Sequence, residues 1–201
     1  MNDLDLIIDD DCIDEDEKNF IDTNLFIHRT LPLYSNFATR QLFKYFAHIL
    51  ILRDHEEESI SNSDWLPFFE SIFRRFAFKH NLQVNKIWRA AINVTHENVR
   101  YRFVDPHIDQ PFDHKIFILY LNVHDLIDTN MYSHTLIFDK KYSDSETNTP
   151  LIEYHRANEL EILHSIAPKF GKGICFNGDY YHTACFPHPM EYRYVAVFNF
   201  S

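Results

Sequence analysis

Three side chains able to ligate a metal are spaced for one face of a β scaffold: His107 and Asp109, two positions apart, and His182 far downstream. On a strand, residues i and i+2 leave the same face, so His107 and Asp109 project together. Two imidazoles and one carboxylate form the facial set that suits non-haem Fe(II) and leaves coordination positions open for other ligands. Eleven residues beyond His182 stands Arg193. Its planar guanidinium can pair bidentately with a carboxylate, so it is placed to anchor an acidic cosubstrate. The His-x-Asp pair alone is weak, because 13 histidines and 18 aspartates in 201 residues could supply it by chance.

The context adds specificity. Asp105-Pro106 precedes the pair, and an apolar strand pattern, Ile116-Phe-Ile-Leu-Tyr-Leu-Asn122, follows it. Pro168-x-x-Gly171-x-Gly173-Ile-Cys-Phe176 then leads to His182, and Arg193-Tyr-Val-Ala-Val-Phe198 opens the last strand pattern. In this order the segments resemble the 2-oxoglutarate/Fe(II)-dependent dioxygenase superfamily, most of all its prolyl-hydroxylase-like group and the short bacteriophage-encoded members. The likeness covers most of the chain, including Asp10-Asp11-Cys12-Ile13, Arg89-Ala-Ala-Ile-Asn93 and residues 101–200.

The resemblance implies Fe(II) on His107, Asp109 and His182, with Arg193 on the distal carboxylate of 2-oxoglutarate. It also implies a hydrogen bond from Tyr120 to that carboxylate and a cosubstrate contact from Asn93. The implied reaction uses O2, decarboxylates 2-oxoglutarate to succinate and CO2, and hydroxylates an unactivated C–H, with ascorbate as a reductant that keeps the iron reduced. Phe103, Phe112, Phe117 and Phe176 are candidate apolar neighbours of the site. Departures from the pattern are informative. Met131-Tyr-Ser-His-Thr135 replaces a common Gly-Gly-Thr turn, and Asn199 stands six residues after Arg193, where nucleic-acid-repair relatives carry a second arginine. Halogenating relatives usually lack the carboxylate ligand, which Asp109 retains here.

Three functions are compatible with these residues. One is hydroxylation of a peptidyl residue, proline being the first guess; another is the same chemistry on a free amino acid or small metabolite. The third is a non-catalytic jelly-roll metal-binding module. The remaining histidines lack matched metal spacing and read as surface or core residues; His114, close behind the His-x-Asp pair, could line a pocket.

Composition excludes other classes. Three glycines (Gly171, Gly173 and Gly178) leave no phosphate loop or dinucleotide fingerprint. The net charge is −11, but residues 1–17 hold nine of the 30 acidic residues and no basic one, so the rest is nearly balanced. An acidic leader on a neutral body lacks the basic footprint of a nucleic-acid binder. Asp14 with Glu17 three residues on is a capping-box pattern, which reads the leader's end as a helix start. Three cysteines without a CxxC pair suggest neither a disulfide framework nor a zinc ribbon. No signal peptide or membrane span is legible, and the expectation is a cytoplasmic protein, in the host cytoplasm if virus-encoded. Oligomeric state is not encoded legibly.

These residues need a rigid frame. The length suits one domain, 1–201, with 1–86 a mostly helical support and 87–201 a jelly-roll core. The expected class is mainly β: a double-stranded β-helix with N-terminal helices packed on one sheet. Helices are expected at 14–26, 36–53 and 64–80, the last capped by Ser63 or Asp64, with Trp65, Phe68, Phe69, Ile72, Phe73 and Phe76 at helical spacing. Leu4–Ile8 suits a strand. Further strands are expected at 87–94, 101–104, 115–122, 134–138, 161–166, 173–177 and 192–200, with 139–160 a long polar insertion near the site mouth.

Overall fold

Along Tyr192–Phe200 the side chains alternate between two buried environments, and this strand is the centre of the molecule. The computed structural model describes residues 4–37, 44–52, 60–122, 131–142, 152 and 159–201. The strands are β1 (Ile7–Asp9), β2 (Tyr34–Phe37), β3 (Lys44–Ile51), β4 (Ile87–His96), β5 (Lys115–Tyr120), β6 (Thr135–Lys141), β7 (Ile162–Ile166), β8 (Gly173–Asn177), β9 (Tyr180–Ala184) and β10 (Tyr192–Phe200). They form a seven-stranded sheet in the order β1-β8-β5-β10-β4-β3-β2 and a three-stranded sheet in the order β7-β6-β9. Every strand pairing is antiparallel. This is the two-sheet, mainly β architecture expected for a jelly roll.

One face of the large sheet is covered by helix. Leu66, Phe69, Ile72, Phe73 and Phe76 recur at helical spacing in α2 (Leu66–Lys79), and all five are buried. They pack on Ile87, Ala90 and Ile92 of β4, Phe117 and Leu119 of β5, and Ala196, Phe198 and Phe200 of β10. The Phe73 ring stacks on Phe198 with centroids 4.8 Å apart and meets Phe200 edge-on at 4.9 Å. Such aromatic pairs add to the area they bury. Pro67 occupies the first turn, where its missing N–H costs nothing. No side chain caps Trp65; Ser63 instead accepts from the Trp65 amide at 3.0 Å and lies 2.6 Å from His48 Nε2. His48 Nδ1 meets the Pro32 carbonyl, so this histidine is a satisfied core residue.

The capping box is present at α1 (Glu15–Ile21): the Glu17 amide donates to Asp14, and the Asp14 amide to Glu17. A π-helical turn, Asp22–Ile27, continues it. Residues 12–25 feed Cys12, Ile13, Ile21 and Leu25 into the same core as α2.

The opposite face of the large sheet meets the small sheet. Ile116, Ile118, Ile174, Phe176, Val195 and Val197 pack there with Ile137 of β6, Ile166 of β7 and Tyr180 of β9.

Three expectations are corrected. The segment 36–53 is not a helix; its described residues belong to β2 and β3, so residues 1–86 supply three strands of the large sheet. Both faces of β3 are partly covered, which erases the period-two pattern and leaves an apolar run readable either way. The strand expected at 101–104 is reduced to one isolated bridge, Phe103 with Cys185, and a second such bridge follows it, His107 with His182. Conversely, β9 was not anticipated as a strand of its own. Most of the polar insertion, 143–151 and 153–158, lies outside the described residues, as do His55, His124 and His155. Cys12, Cys175 and Cys185 are free and buried. Among the described residues, no helix is long and apolar enough to cross a membrane.

Candidate metal centre

His107 and His182 are brought together by backbone pairing. Each amide donates to the other's carbonyl at 3.0 Å, which sets the two rings 4.8 Å apart, centroid to centroid. Both rings are then fixed in the same way. Nδ1 of His107 lies 2.9 Å from the Asp105 carbonyl, and Nδ1 of His182 lies 3.1 Å from the Tyr180 carbonyl. A carbonyl can only accept, so each Nδ1 carries the proton and each Nε2 presents a lone pair. That is the tautomer a metal ligand needs. Asp109 Oδ1 lies 3.9 Å from His107 Nε2, and the ligand atoms of all three residues fall within 4.8 Å of one another. Among the described residues this is the one such group.

The electrostatics agree with that role. Burial favours the neutral form of Asp109, but His182, Arg89 and His107, with a hydrogen bond from Asn199, outweigh it and hold the carboxyl well below its usual range. Burial, reinforced by His107 and opposed by Asp109, pulls His182 down to about 4. The site therefore offers an anionic oxygen and an unprotonated imidazole at neutral pH. Phe176 meets the His182 ring edge-on at 5.3 Å and forms part of its apolar wall.

Arg193 is buried at 4% exposure, and burial lowers its pKa. Its Nε donates to the Ser133 carbonyl and its Nη2 to Thr135 Oγ1, both at 2.9 Å. Among the described residues no carboxylate lies within ion-pair distance of it. Tyr120 OH shares a 2.6 Å hydrogen bond with Thr135 Oγ1, and the Tyr120 ring centroid lies 5.5 Å from the guanidinium. Burial pushes the Tyr120 hydroxyl's pKa up, so it stays a donor at neutral pH. Ser133 and Thr135 come from the stretch that replaces Gly-Gly-Thr. Met131 and Ser133 take positive φ, 57° and 59°, so the chain makes a left-handed turn there without glycine.

Cross-strand register places the rest. Asn93, Val195 and Tyr120 lie side by side on one face of β4, β10 and β5, and Thr95 stands opposite Arg193. Asn93 Oδ1 and Thr95 Oγ1 are buried without a hydrogen-bond partner. Two expectations about the lining fail or shift. Phe117 faces α2, not the site, and packs on Phe73 and Phe76. Phe112 lies against Trp88 and is 40% exposed, while Phe103 packs on Phe138. His114 is buried, and its ring fills the space over Gly178 where a Cβ would collide with it.

Several contributors were not anticipated: Ser133 and Thr135 on Arg193, Arg89 near Asp109, and Asn199 on Asp109. Only Asn199 carried a sequence signal, through its spacing from Arg193.

No family model and no curated protein matches the chain in sequence. Solved structures do match in shape. An oxidoreductase of the 2OG-Fe(II) oxygenase family from Burkholderia pseudomallei aligns over 98% of this chain and 84% of its own, at 14% identity and a TM-score of 0.62. A Trichoplax adhaerens prolyl hydroxylase, solved with a hypoxia inducible factor peptide fragment, aligns over 97% and 83% at 10% identity and a TM-score of 0.61. A Pseudomonas putida prolyl-4-hydroxylase aligns over 98% and 92% at 10% identity and a TM-score of 0.56. With the two histidines and the aspartate gathered between its sheets, the chain has the fold of the 2-oxoglutarate- and Fe(II)-dependent oxygenases.

Proposed function

We propose that this chain is a 2-oxoglutarate- and Fe(II)-dependent dioxygenase that hydroxylates a C–H of a peptidyl residue, in the manner of a prolyl hydroxylase. The observation that carries the reading is Arg193: a buried guanidinium with no carboxylate partner among the described residues, on the same sheet face that leads to the His107, Asp109 and His182 group. Burying a cation without an anion is costly, and an anionic ligand relieves the cost. A jelly-roll module that only held a metal would have no use for it.

The residues fit the implied groups. His107, Asp109 and His182 would hold Fe(II), a two-histidine, one-carboxylate set that leaves positions open. Arg193 and Tyr120 would take the distal carboxylate of 2-oxoglutarate, with Asn93 and its unpartnered Oδ1 at the edge of the same pocket. When bound, iron and cosubstrate would supply the oxidation: substrate C–H, 2-oxoglutarate and O2 give substrate C–OH, succinate and CO2. The chain's own task is orientation. Ser133 and Thr135 fix the plane of the guanidinium, the two backbone carbonyls fix the imidazoles, and Phe176 keeps water from one side of His182.

The choice of a peptide is supported by the Trichoplax adhaerens enzyme, whose structure holds a peptide fragment, and by the exposure of the metal edge. The His107 side chain is 32% exposed, which suits approach by a chain and not full enclosure of a metabolite.

The first test is anaerobic addition of Fe(II) and 2-oxoglutarate to apo-protein, followed by its weak visible charge-transfer band. The band is expected in wild type and absent from the His182→Ala variant. A folded wild-type protein that shows no band overturns the reading. Succinate release stimulated by proline-containing peptides but not by free proline separates the peptide substrate from the small metabolite.

A further inference from the structure

Asp109 does not reach the metal position unaided. The Asn199 side-chain amide donates to Asp109 Oδ2 at 2.8 Å, while Asp109 Oδ1 is the oxygen turned toward His107 Nε2 at 3.9 Å. One carboxylate oxygen is thus occupied by an N–H donor and the other is left for a metal. Asn199 is fully buried on β10, and its Oδ1 has no partner. A buried, half-satisfied amide is destabilising, and an apolar residue would fit this core better. The other half of the amide has a task that an apolar residue could not perform: it donates to Asp109. Directly across the sheet from Asn199 is Arg89, whose charge acts on Asp109 without forming an ion pair with it among the described contacts.

We infer that Asn199 is the positioning residue of the carboxylate ligand, holding Asp109 to one-oxygen coordination so that the opposite positions stay open for cosubstrate and O2. The inference rests on the metal-triad reading above. A carboxylate free to rotate can bind through both oxygens and close a position; the amide on Oδ2 opposes that rotation and uses one of that oxygen's lone pairs. Partners of this kind orient metal ligands, and their loss typically weakens metal binding by roughly 10- to 100-fold. Asn199 also stands where an arginine would otherwise follow Arg193 by six residues, so a neutral amide does the orienting without adding a second cation beside a dication.

The test uses apo-protein and Co(II) alone, whose visible spectrum reports coordination, with wild type, Asn199→Leu and Asn199→Ala. Wild type is expected to bind Co(II). The leucine variant, equal to asparagine in branching and heavy-atom count, is expected to stay folded as apo-protein while losing roughly 10- to 100-fold in Co(II) affinity, with a changed band shape. The alanine variant is expected to lose affinity to a similar degree. If wild type binds Co(II) and both variants bind it equally well with the same spectrum, the inference falls and the proposed function stands. If the leucine variant loses apo-protein stability together with Co(II) affinity, and its Co(II) spectrum keeps the wild-type shape, Asn199 is only structural and the inference again falls. If wild type binds no metal, both fall.

Discussion

The two faces of the large sheet share every strand and differ in how they treat polarity. On the helix face, Phe73, Phe117, Phe198 and Phe200 form a ring cluster, and the polar groups there are answered: His48 by Pro32 and Ser63, Asp9 by Lys79 and His80. On the inner face, among the described residues, Arg193 has no anion, and Asn93, Thr95 and Asn199 each bury an oxygen without a partner. Buried polar atoms are nearly always paired in proteins selected only to fold. The helix face is therefore built for stability, and the inner face keeps polar capacity that folding does not consume. That unused capacity shares its face with Asn199, whose amide reaches Asp109 of the candidate metal group.

The largest effect that would break this contrast is on the inner face. Arg193→Met should lower the affinity of the metal-loaded protein for 2-oxoglutarate by about 3 kcal/mol, on the order of 100-fold. The apo-protein should keep its stability or gain about 1–4 kcal/mol, since a buried charge with no carboxylate partner among the described residues is removed. Calorimetric titration and a denaturant melt read the two numbers. A variant that melts earlier yet binds 2-oxoglutarate normally would make Arg193 a structural residue and dissolve the distinction between the faces.

The helix face should give the reverse. Phe73→Ala removes the ring that touches Phe117, Phe198 and Phe200, and should cost about 3–5 kcal/mol of stability. Metal affinity of the folded fraction should not change, because none of those rings lies on the site side of the sheet. A stability loss below about 1 kcal/mol would mean that the cluster repacks and that the face is less jigsaw-like than its geometry implies.

The same contrast explains which parts were legible in the sequence. His107, Asp109, His182 and Arg193 could be picked out by residue type and order, although His107 and Asp109 lie outside the strands and His107 is held by an isolated bridge to His182; β8 and β10 were readable to the residue from their apolar runs. Helix α2 was readable because one side of it faces water. β3 was not, since cover on both sides removes the alternation. The roles of Thr135 and Arg89 were hidden for another reason: each acts through a cross-strand or cross-sheet neighbour, and register is a property of the assembled sheets, not of any one segment. The glycine-free turn at Met131 and Ser133 was equally opaque, because positive φ in non-glycine residues is imposed by surroundings.

A smaller effect sharpens the comparison from the helix side. Asp9 at the end of β1 is a buried charge on that face, and its carboxylate accepts from Lys79 Nζ at 2.7 Å and His80 Nε2 at 2.9 Å. Burial raises its pKa, but the hydrogen bonds from Lys79 and His80 outweigh burial and bring it to about 2. The folded value lies below the unfolded one near 3.8, so the contribution is fully present above that pH and is lost as pH falls toward 2. Since the half-exposed Lys79 is screened by water, the shift corresponds to about 1–2 kcal/mol. The Asp9→Asn variant should be less stable than wild type by that amount at neutral pH, and the gap should close between pH 4 and pH 2. Urea melts across that range measure it. A gap that persists at pH 2 would show that Asp9 stabilises through its shape and backbone contacts, and the helix face would then hold no charge whose worth depends on being answered.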